Sequence, residues 1–330
     1  MLAHALTPPT AATPPPISVV IPSYARAHNL PTGLCSLLKY EPLRRAGSEV
    51  VVAHGSARSL NASASIDAAV DRCAGAGASS ARLRHLDLVA LNARMYVAER
   101  FAAAARAANE VVVHLDDDLL PSEELLAALA ARVAADVGGG GGANAMAAAS
   151  SVFGPTVRQC GAHGYADPGN AATHPVVGGG ARGGSGGGGG GGDGAVVTHA
   201  VLTNLAATSR SLCAAFVAAF DERYAPLIAL TRGNGEDLAF NDFARRAGGA
   251  AVRVALPAAV PLGAVAAGVA TLDDGRTSGS AFYAKAGHYK LRVRICRCLG
   301  AGHGGAALAE CVKASEADAI CDVGEKCRFY

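Results

Sequence analysis

Three adjacent aspartates, Asp116 to Asp118, end an apolar run that begins at Val111. Neighbouring carboxylates repel one another, and burial of even one is costly unless a positive charge pairs with it. The run is therefore either exposed to solvent or holds a cation. Carboxylate oxygens are ligands that Mn²⁺ and Mg²⁺ prefer, and such a cation also neutralises phosphate oxygens. We expect Asp116 and Asp118 to hold Mn²⁺ or Mg²⁺ against a diphosphate.

Two other interpretations of this run differ in how well they fit. A calcium-binding loop does not fit, because Leu120 and Pro121 stand where that loop needs an oxygen ligand and a glycine. Phosphatases with an aspartyl nucleophile use a D-x-D motif that Asp116 and Asp118 match, although Leu120 does not match its last position. A phosphohydrolase with Asp116 as the nucleophile stays open as an alternative.

A second acidic pair, Glu236 and Asp237, follows Gly233 and Gly235 and opens a helical pattern. Acidic residues in the first turn of a helix complement its dipole, which stabilises the helix by about 0.3–1 kcal/mol each. A carboxylate at a glycine-hinged helix start is equally suited to catalysis or to gripping an acceptor. The spacing leaves both interpretations open.

The segment from His288 to Cys296 alternates basic and apolar residues. This alternation predicts a strand with Lys290, Arg292 and Arg294 on one face. A basic strand edge in solvent is the usual interpretation of such a run. The functional interpretation is a clamp for a diphosphate, with His288 as a metal ligand.

The elements that must position these residues alternate between short apolar strands and helical patterns, which is typical of an α/β fold with a mostly parallel sheet flanked by helices. Ligands bind at the carboxyl ends of the strands in such sheets. We therefore expect PSYAR after the first strand, HGS after the second and DDD after the fourth to lie along one rim. The predicted strands cover residues 17–21, 49–53, 86–91 and 110–115, and the predicted helices cover 29–40, 93–108 and a segment from Ser122 onward.

Composition limits the remaining possibilities. Lys and Arg total 29 against 27 Asp and Glu, so the chain has no broad electrostatic basis for binding nucleic acid. The glycine-rich segment 178–194 is low in complexity, and we expect a disordered insertion there. The uncharged stretch 254–272 contains Pro257 and Pro261, which favours short strands and turns over a membrane helix.

Nine cysteines, five of them after residue 295, raise the question of what they bind. They lack the paired C-x-x-C spacing that makes a zinc site convincing, even with His303 nearby. Disulfides in a secretory-pathway domain are the favoured interpretation, and unpaired thiols are the alternative. The glycosylation sequon at Asn61 is compatible with that compartment.

Taken together, ISVVIPSYARAHNL, NARM, VVVHLDDDLLPSEEL and GEDLAFN resemble the nucleotide-sugar glycosyltransferases of the GT-A (Rossmann-like) fold. The pattern is most similar to the exostosin-like family of heparan-type N-acetylhexosaminyltransferases. Its members show P-[ST]-x-x-R, N-x-R-[FM], DDD, an LT strand, an E-D-[IL]-x-x-N helix and a basic C-terminal segment with His and Cys. The resemblance implies a single GT-A domain over residues 17–298, between a proline-rich spacer (1–16) and a cysteine-containing tail (299–330).

The resemblance also implies an activity. It implies a metal-dependent, retaining transfer of a hexose or N-acetylhexosamine from a UDP-sugar to a glycan or glycoconjugate acceptor, with Mn²⁺ or Mg²⁺ as the cofactor. Asp237 is the implied essential carboxylate, with Glu236 second. Tyr24 and Arg26 would lie near the nucleoside, and Asn92 and Arg94 near the ribose and diphosphate. The implied nucleotide-binding set is Pro22, Tyr24, Arg26, Asn92, Arg94, Asp116, Asp117 and Arg292, and the implied metal ligands are Asp116, Asp118 and His288.

The sequence departs from the family pattern at two places. Gly235 stands where the family often has Cys, and His54, Gly55 and Ser56 stand where an Asn- or Asp-bearing turn usually binds uracil. An inverting family-two-like transferase, in which the same acid would be a general base, and a non-catalytic glycan-binding module stay open as alternatives. We expect a location in the Golgi or endoplasmic reticulum lumen, with membrane tethering through a segment absent from this sequence.

Overall fold

A computed structural model describes residues 14–74, 82–138, 150–161, 164–166, 196–198, 200–254, 269–271 and 286–315. The glycine-rich segment 178–194 and most of the proline-rich spacer lie outside the described residues. Within 254–272, only Val254 and a strand over 269–271 are described. Among the helices that the structure describes, none combines the length and apolarity needed to cross a bilayer.

A mixed sheet of eight strands lies at the centre of the described fold. The strands, in chain order, are β1 (Ile17–Ser23), β2 (Glu49–His54), β3 (Arg82–Asp87), β4 (Val111–Leu115), β5 (Leu119–Pro121), β6 (Val152–Gly154), β7 (Val157–Gly161), β8 (Gly164–Ala166), β9 (Val196–Thr198), β10 (Ala200–Val201), β11 (Leu205–Ser209), β12 (Ala251–Arg253) and β13 (Val269–Thr271). The order in the large sheet is β3-β2-β1-β4-β11-β6-β12-β9. Its first four strands are parallel to one another, and β11 is antiparallel to both of its neighbours.

Helices cover both faces of this sheet. They are α1 (Leu30–Leu37), α2 (Glu41–Arg44), α3 (Ala57–Asn61), α4 (Ser63–Ala74), α5 (Val89–Met95), α6 (Glu99–Ala105), α7 (Glu123–Gly138), α8 (Arg210–Arg223), α9 (Ala225–Thr231), α10 (Glu236–Arg246), α11 (Ala286–Gly300) and α12 (Gly305–Ala314), with short 3₁₀ turns at Ala27–Asn29 and Tyr96–Ala98. The predicted α/β architecture, with a mostly parallel sheet flanked by helices, is confirmed.

The central strands are apolar on both faces because each face packs on its own core. In β1, Val19 and Ile21 belong to one buried cluster and Val20 to the other. Branched side chains suit this two-sided packing because they fill the pleated surface on either side. The second core contains stacked rings of Phe101 and Phe240, whose centroids lie 4.1 Å apart.

Two predicted elements around residue 90 were wrong. The predicted strand over 86–91 is instead β3, which ends at Asp87, and α5 begins at Val89. The predicted helix over 93–108 is interrupted at Tyr96, whose φ of 51° is incompatible with a helix. The apolar run was too short for periodicity to separate strand from helix.

The predicted strand from His288 to Cys296 was also wrong, because these residues lie within α11. The buried residues of α11 include Arg292, Ile295, Cys296 and Leu299, which follow the i, i+3, i+4, i+7 spacing of a helix. Lys290 is exposed while Arg292 is buried. The three basic residues therefore do not share one face.

The C-terminal boundary expected at residue 298 falls inside α11. Beyond it, Leu308 and Val312 of α12 are buried in the same cluster as Phe101 and Phe240. A disulfide between Cys298 and Cys311 joins α11 to α12. Residues 305–314 thus pack against the same core as the helices that precede residue 298.

Two further disulfides confirm the prediction that cysteines of this chain pair with one another. Cys35 pairs with Cys73, and Cys160 of β7 pairs with Cys296 of α11. Cys296 is therefore not available to zinc. Among the described cysteines, Cys213 is a buried free thiol.

Candidate functional site

The carboxyl ends of β1, β2 and β4 meet at one rim of the sheet, as the sequence predicted. Ser23 at the end of β1 lies opposite His54 at the end of β2. Beyond β4, the main-chain N–H of Asp116 donates to the carbonyl of Asn204 at 2.8 Å. This bond brings the residues that precede β11 to the same rim.

The three aspartates do not stand free at this rim. Arg26, from the link after β1, places Nη2 2.8 Å from Oδ1 of Asp117 and Nη1 against Oδ2 of Asp118. The Asp117 side chain is 5% exposed, whereas those of Asp118 and Arg26 are 21% and 23% exposed. One guanidinium is therefore shared between two carboxylates.

The charge of Arg26 does not fully offset the burial of Asp117 and Asp118 and their repulsion by neighbouring carboxylates. Burial, together with repulsion from Asp116 and Asp118, raises the pKa of Asp117 to about 7 even though Arg26 lowers it. Burial and the charge of Asp116 raise the pKa of Asp118 as well. A raised carboxyl pKa means that the surroundings disfavour the negative charge.

Arg100 of α6 is a site residue that the sequence interpretation missed. Its buried guanidinium donates to Oδ1 of Asp116 at 2.7 Å and to the carbonyl of Thr203 at 2.5 Å. The Thr203 hydroxyl in turn lies 3.4 Å from Oε1 of Glu236. The signal in the sequence was a single arginine at the start of the alanine-rich helix ERFAAAA, where a buried cation needs a partner.

The helix with the second acidic pair starts from a glycine turn. Gly233 and Gly235 have φ of 87° and 118°, the left-handed region that side chains disfavour. At Gly235 a Cβ would also lie 2.8 Å from Cδ1 of Ile295 in α11. A cysteine, which the exostosin-like pattern often has here, would therefore not fit at this position without movement. Asn241, at the end of the E-D motif, fixes α10 to β10 through bonds to both the N–H and the carbonyl of Val201.

Asp237 and Arg292 form an ion pair between α10 and α11. Nη2 of Arg292 donates to Oδ2 of Asp237, and both side chains are buried. Oδ1 of Asp237 accepts from the main-chain N–H of Leu238 at 2.9 Å. The guanidinium also lies 5.0 Å from the ring centroid of Tyr165 in β8, which is a cation–π distance. The predicted site residues Asp237 and Arg292 are thus brought together.

Glu236 differs from Asp237 in having no arginine bonded to its carboxyl in the described contacts. Burial and the neighbouring charge of Asp237 raise its pKa to about 7, although Arg100 and Arg292 act in the opposite direction. A group with this pKa can exchange a proton near neutral pH.

A buried carboxyl of α6, next to the turn that follows β2, was not predicted. Glu99 is 2% exposed, accepts a hydrogen bond from the Asn92 amide, and lies close to Gly55, where a Cβ would be 2.2 Å from Oε1. Burial raises the pKa of Glu99 to about 8. Asn92, which was expected near the ribose, is therefore tied to a protonated acid beside the HGS turn.

A hydrogen-bonded chain runs inward from the surface to the same rim. Asp67 lies 2.9 Å from Nε2 of His85, whose Nδ1 lies 2.7 Å from Nε2 of His54. Nδ1 of His54 lies 2.7 Å from the hydroxyl of Ser59, which donates to Ser23 at 2.7 Å. Burial and the neighbouring His85 lower the pKa of His54 to about 4. The imidazole of His54, the last residue of β2, is therefore neutral near pH 7.

The remaining predicted residues occupy different surroundings. Pro22 lies in β1 opposite Ala53, and Tyr24 is 61% exposed on the rim. Arg94 forms an exposed ion pair with Asp221 of α8, and no described contact joins it to the DDD run at residues 116–118. The backbone of His288 lies in α11, but its side chain is outside the described part of the structure.

The carboxylate oxygens that the structure describes at this rim suit a hard cation whose remaining ligands come from water and a bound phosphate. Asp116 and Asp118 offer carboxylate oxygens and are each 21% exposed. No group of three or more metal-binding side chains occurs among the residues that the structure describes. Mg²⁺-type sites commonly use one or two carboxylates and complete their coordination with water and substrate phosphates. The residues therefore fit a cation bridged to a phosphate.

Two solved structures that resemble this chain do so loosely. No family model and no curated protein matches the chain. Among solved structures, one likeness is to GalNAc-T7 with UDP, GalNAc and Mn²⁺, at 13% identity and a TM-score of 0.44, covering 72% of this chain and 42% of that chain. Another is to the mannosyltransferase PcManGT from Pyrobaculum calidifontis in complex with GDP-Man and Mn²⁺, at 16% identity and a TM-score of 0.42, covering 92% and 70%. The chain thus spans less than half the length of GalNAc-T7.

Proposed function

We propose that this chain is a metal-dependent glycosyltransferase of the GT-A type, most similar to the exostosin-like family. It would transfer a hexose or N-acetylhexosamine from a UDP-sugar to a glycan or glycoconjugate. The observation that supports this most directly is the connection of the two acidic motifs at one rim. Arg100 contacts Asp116 and Thr203, and Thr203 contacts Glu236. In the proposed enzyme, one acidic motif would hold the cation that binds the donor diphosphate, and the other would act at the reacting sugar beside it.

The DDD end of the rim is proposed to bind the donor. Asp116 and Asp118 would hold Mn²⁺ or Mg²⁺, because both offer oxygen ligands and remain partly exposed. When bound, the cation would neutralise the charge that develops on the leaving diphosphate. Tyr24 would face the nucleoside, since its side chain is exposed on the rim beside β2.

The E-D end of the rim is proposed to act at the anomeric carbon. Both oxygens of Asp237 already accept a hydrogen bond, from Arg292 and from the N–H of Leu238. A carboxylate oriented in this way can stabilise a positive, oxocarbenium-like centre. Arg292 would contact the diphosphate, as the resemblance implies.

This arrangement supports transfer with retention. The bond from the anomeric carbon to the diphosphate oxygen breaks, and the acceptor hydroxyl oxygen bonds to the same face of that carbon. The acceptor's proton passes to the leaving diphosphate oxygen. In an inverting reaction Asp237 or Glu236 would take this proton as a general base, so the configuration of the product separates the two mechanisms.

The disulfides support a proposed location in the lumen of the Golgi or endoplasmic reticulum. Disulfides persist in oxidising compartments and are rare in the cytosol. Cys35–Cys73, Cys160–Cys296 and Cys298–Cys311 form three pairs in the described part of the chain.

Calorimetric titration with UDP, with and without Mn²⁺, tests the function. We expect Mn²⁺-dependent UDP binding that is lost in Asp118→Ala and retained in the control Asp221→Ala, whose side chain is 64% exposed. Absence of UDP binding under every metal condition would overturn the proposal. Phosphate release from simple esters that Asp116→Asn abolishes would instead indicate a phosphohydrolase. Nucleotide binding without sugar transfer would indicate a non-catalytic module.

A further inference from the structure

Arg26 contacts two of the three aspartates through different nitrogens. Nη2 pairs with Asp117 and Nη1 pairs with Asp118. A guanidinium is a planar fork with several donors, so one arginine can bind two carboxylates at once. Asp118 is one of the proposed cation ligands, so the Arg26 guanidinium lies where a cation would be attracted.

The two arginines at the aspartates differ in their freedom to move. Arg100 belongs to a helix and its side chain is 3% exposed. Arg26 belongs to the short link between β1 and the 3₁₀ turn at Ala27–Asn29, and its side chain is 23% exposed. Arg26 can therefore leave Asp118 by a side-chain movement, and its bond to the more deeply buried Asp117 can act as the pivot.

A free divalent cation and Arg26 would compete for Asp118. Both are positive, so they repel one another if they bind the same carboxylate, and the repulsion is strong at a partly buried rim. A cation that carries a diphosphate brings anionic oxygens as well. Those oxygens can accept hydrogen bonds from the displaced guanidinium, which compensates for its lost contact with Asp118.

We propose that Arg26 is the counter-ion of Asp118 before the nucleotide binds, and that it makes cation binding depend on the nucleotide diphosphate. The inference builds on the proposed function of the same rim. It assigns Arg26 a positioning role, in which the residue discriminates between a free divalent cation and a cation–nucleotide complex.

The test is a titration of the full chain with Mn²⁺ alone, with free Mn²⁺ followed by electron paramagnetic resonance. We expect weak binding in the wild type and binding at least about tenfold tighter in Arg26→Gln, the size of one lost charge-assisted hydrogen bond. Arg26→Lys should lie between them, because an ammonium keeps the charge but cannot bridge two carboxylates. The control Arg45→Gln, at the exposed Glu41 pair, should match the wild type.

Equal Mn²⁺ affinity in the wild type and Arg26→Gln, with Mn²⁺-dependent UDP binding intact in the wild type, would overturn the inference alone. If no variant binds Mn²⁺ with or without UDP, the proposed function itself fails. If Arg26→Gln does not fold, Arg26→Lys decides the question, since wild-type Mn²⁺ affinity in that variant contradicts the inference. Unfolding followed by circular dichroism identifies that case.

Discussion

The buried Arg100 and the partly exposed Asp116 form an ion pair, with Nη2 of Arg100 2.7 Å from Oδ1 of Asp116. The same guanidinium donates to the carbonyl of Thr203, whose hydroxyl contacts Glu236. The residues lie on four different segments of the chain. Arg100 therefore holds the DDD strand end and the E-D helix start in a fixed relation.

We predict that Arg100→Gln weakens both donor binding and catalysis. Loss of the buried charge leaves Asp116 without its ion-pair partner and Glu236 with Arg292 as its remaining nearby cation, so kcat/KM should fall by about ten- to a hundredfold. Removal of one partner of this pair should lower the free energy of unfolding by about 2–4 kcal/mol. Steady-state kinetics and urea unfolding measure the two effects. Arg94→Gln, which removes an exposed pair, should change stability by less than about 1 kcal/mol, and an equal effect of both variants would contradict the role of Arg100.

A double-mutant cycle on Asp237 and Arg292 should separate stability from function. Asp237→Leu alone leaves a buried arginine unpaired, which should cost about 3–5 kcal/mol of the free energy of unfolding. Adding Arg292→Met should restore much of that stability, because a pair of apolar side chains replaces the buried ions. Sugar transfer should stay abolished in both variants. Activity in the stable double variant would show that the pair is structural only.

Stability should fall with rising pH because of Glu99. Its pKa is about 8 in the folded protein, against 4.5 as the ordinary value. Between these pH values the unfolded chain has lost the proton while the folded chain still holds it, so the free energy of unfolding decreases as pH rises from about 4.5 to 8. Below 4.5 the neutral acid is present in both states, and this contribution is flat.

The variant Glu99→Gln keeps the shape of the neutral acid but cannot ionise. We expect it to be more stable than the wild type at pH 8, by an amount on the order of 2–4 kcal/mol, and similar to it near pH 4.5. Urea unfolding at a series of pH values measures the difference. Glu41→Gln, at an exposed pair, serves as the control. Parallel pH profiles of the wild type and Glu99→Gln would show that Glu99 is ionised in the fold.

The Cys160–Cys296 disulfide should affect donor binding as well as stability. Cys296 lies one turn after Arg292 in α11, and Cys160 ties that helix to β7. Replacing both cysteines by alanine should destabilise the fold by about 2–5 kcal/mol. The loosened helix should also weaken UDP binding in Mn²⁺, which calorimetry measures. Replacing Cys35 and Cys73 is the matched control, because that disulfide joins α1 to α4 and should alter stability without altering UDP affinity.

The N-terminal half of the fold was predictable because its signals are local. Ile17 to Ile21 and Val111 to Leu115 are short runs rich in β-branched residues, which favours a strand buried on both faces. The shared rim followed from the parallel arrangement, since parallel strands end at the same edge. Where the signal was ambiguous the prediction was wrong, as at 86–91, where the apolar run was too short to fix its period.

The basic C-terminal segment shows a different limit. The alternation of basic and apolar residues from His288 to Cys296 fits the period of a strand. The same residues, when helical, place Arg292, Ile295 and Cys296 on one face. Which period applies depends on what packs against the segment. Here it packs against α12 and the β7–β8 hairpin, which no local pattern specifies.

The chemical types at the rim could be read from local patterns, because DDD after a buried strand and E-D after a glycine turn each lie within a few residues. Their partners could not be read in this way and depend on how the chain folds. Arg26 lies 92 residues from Asp118, and Arg292 lies 55 residues from Asp237. Such pairs depend on the packing of separate elements, and electrostatic attraction between distant residues leaves no spacing in the sequence. The fold therefore decided which arginine neutralises which aspartate, and the chemistry proposed for the rim depends on that choice.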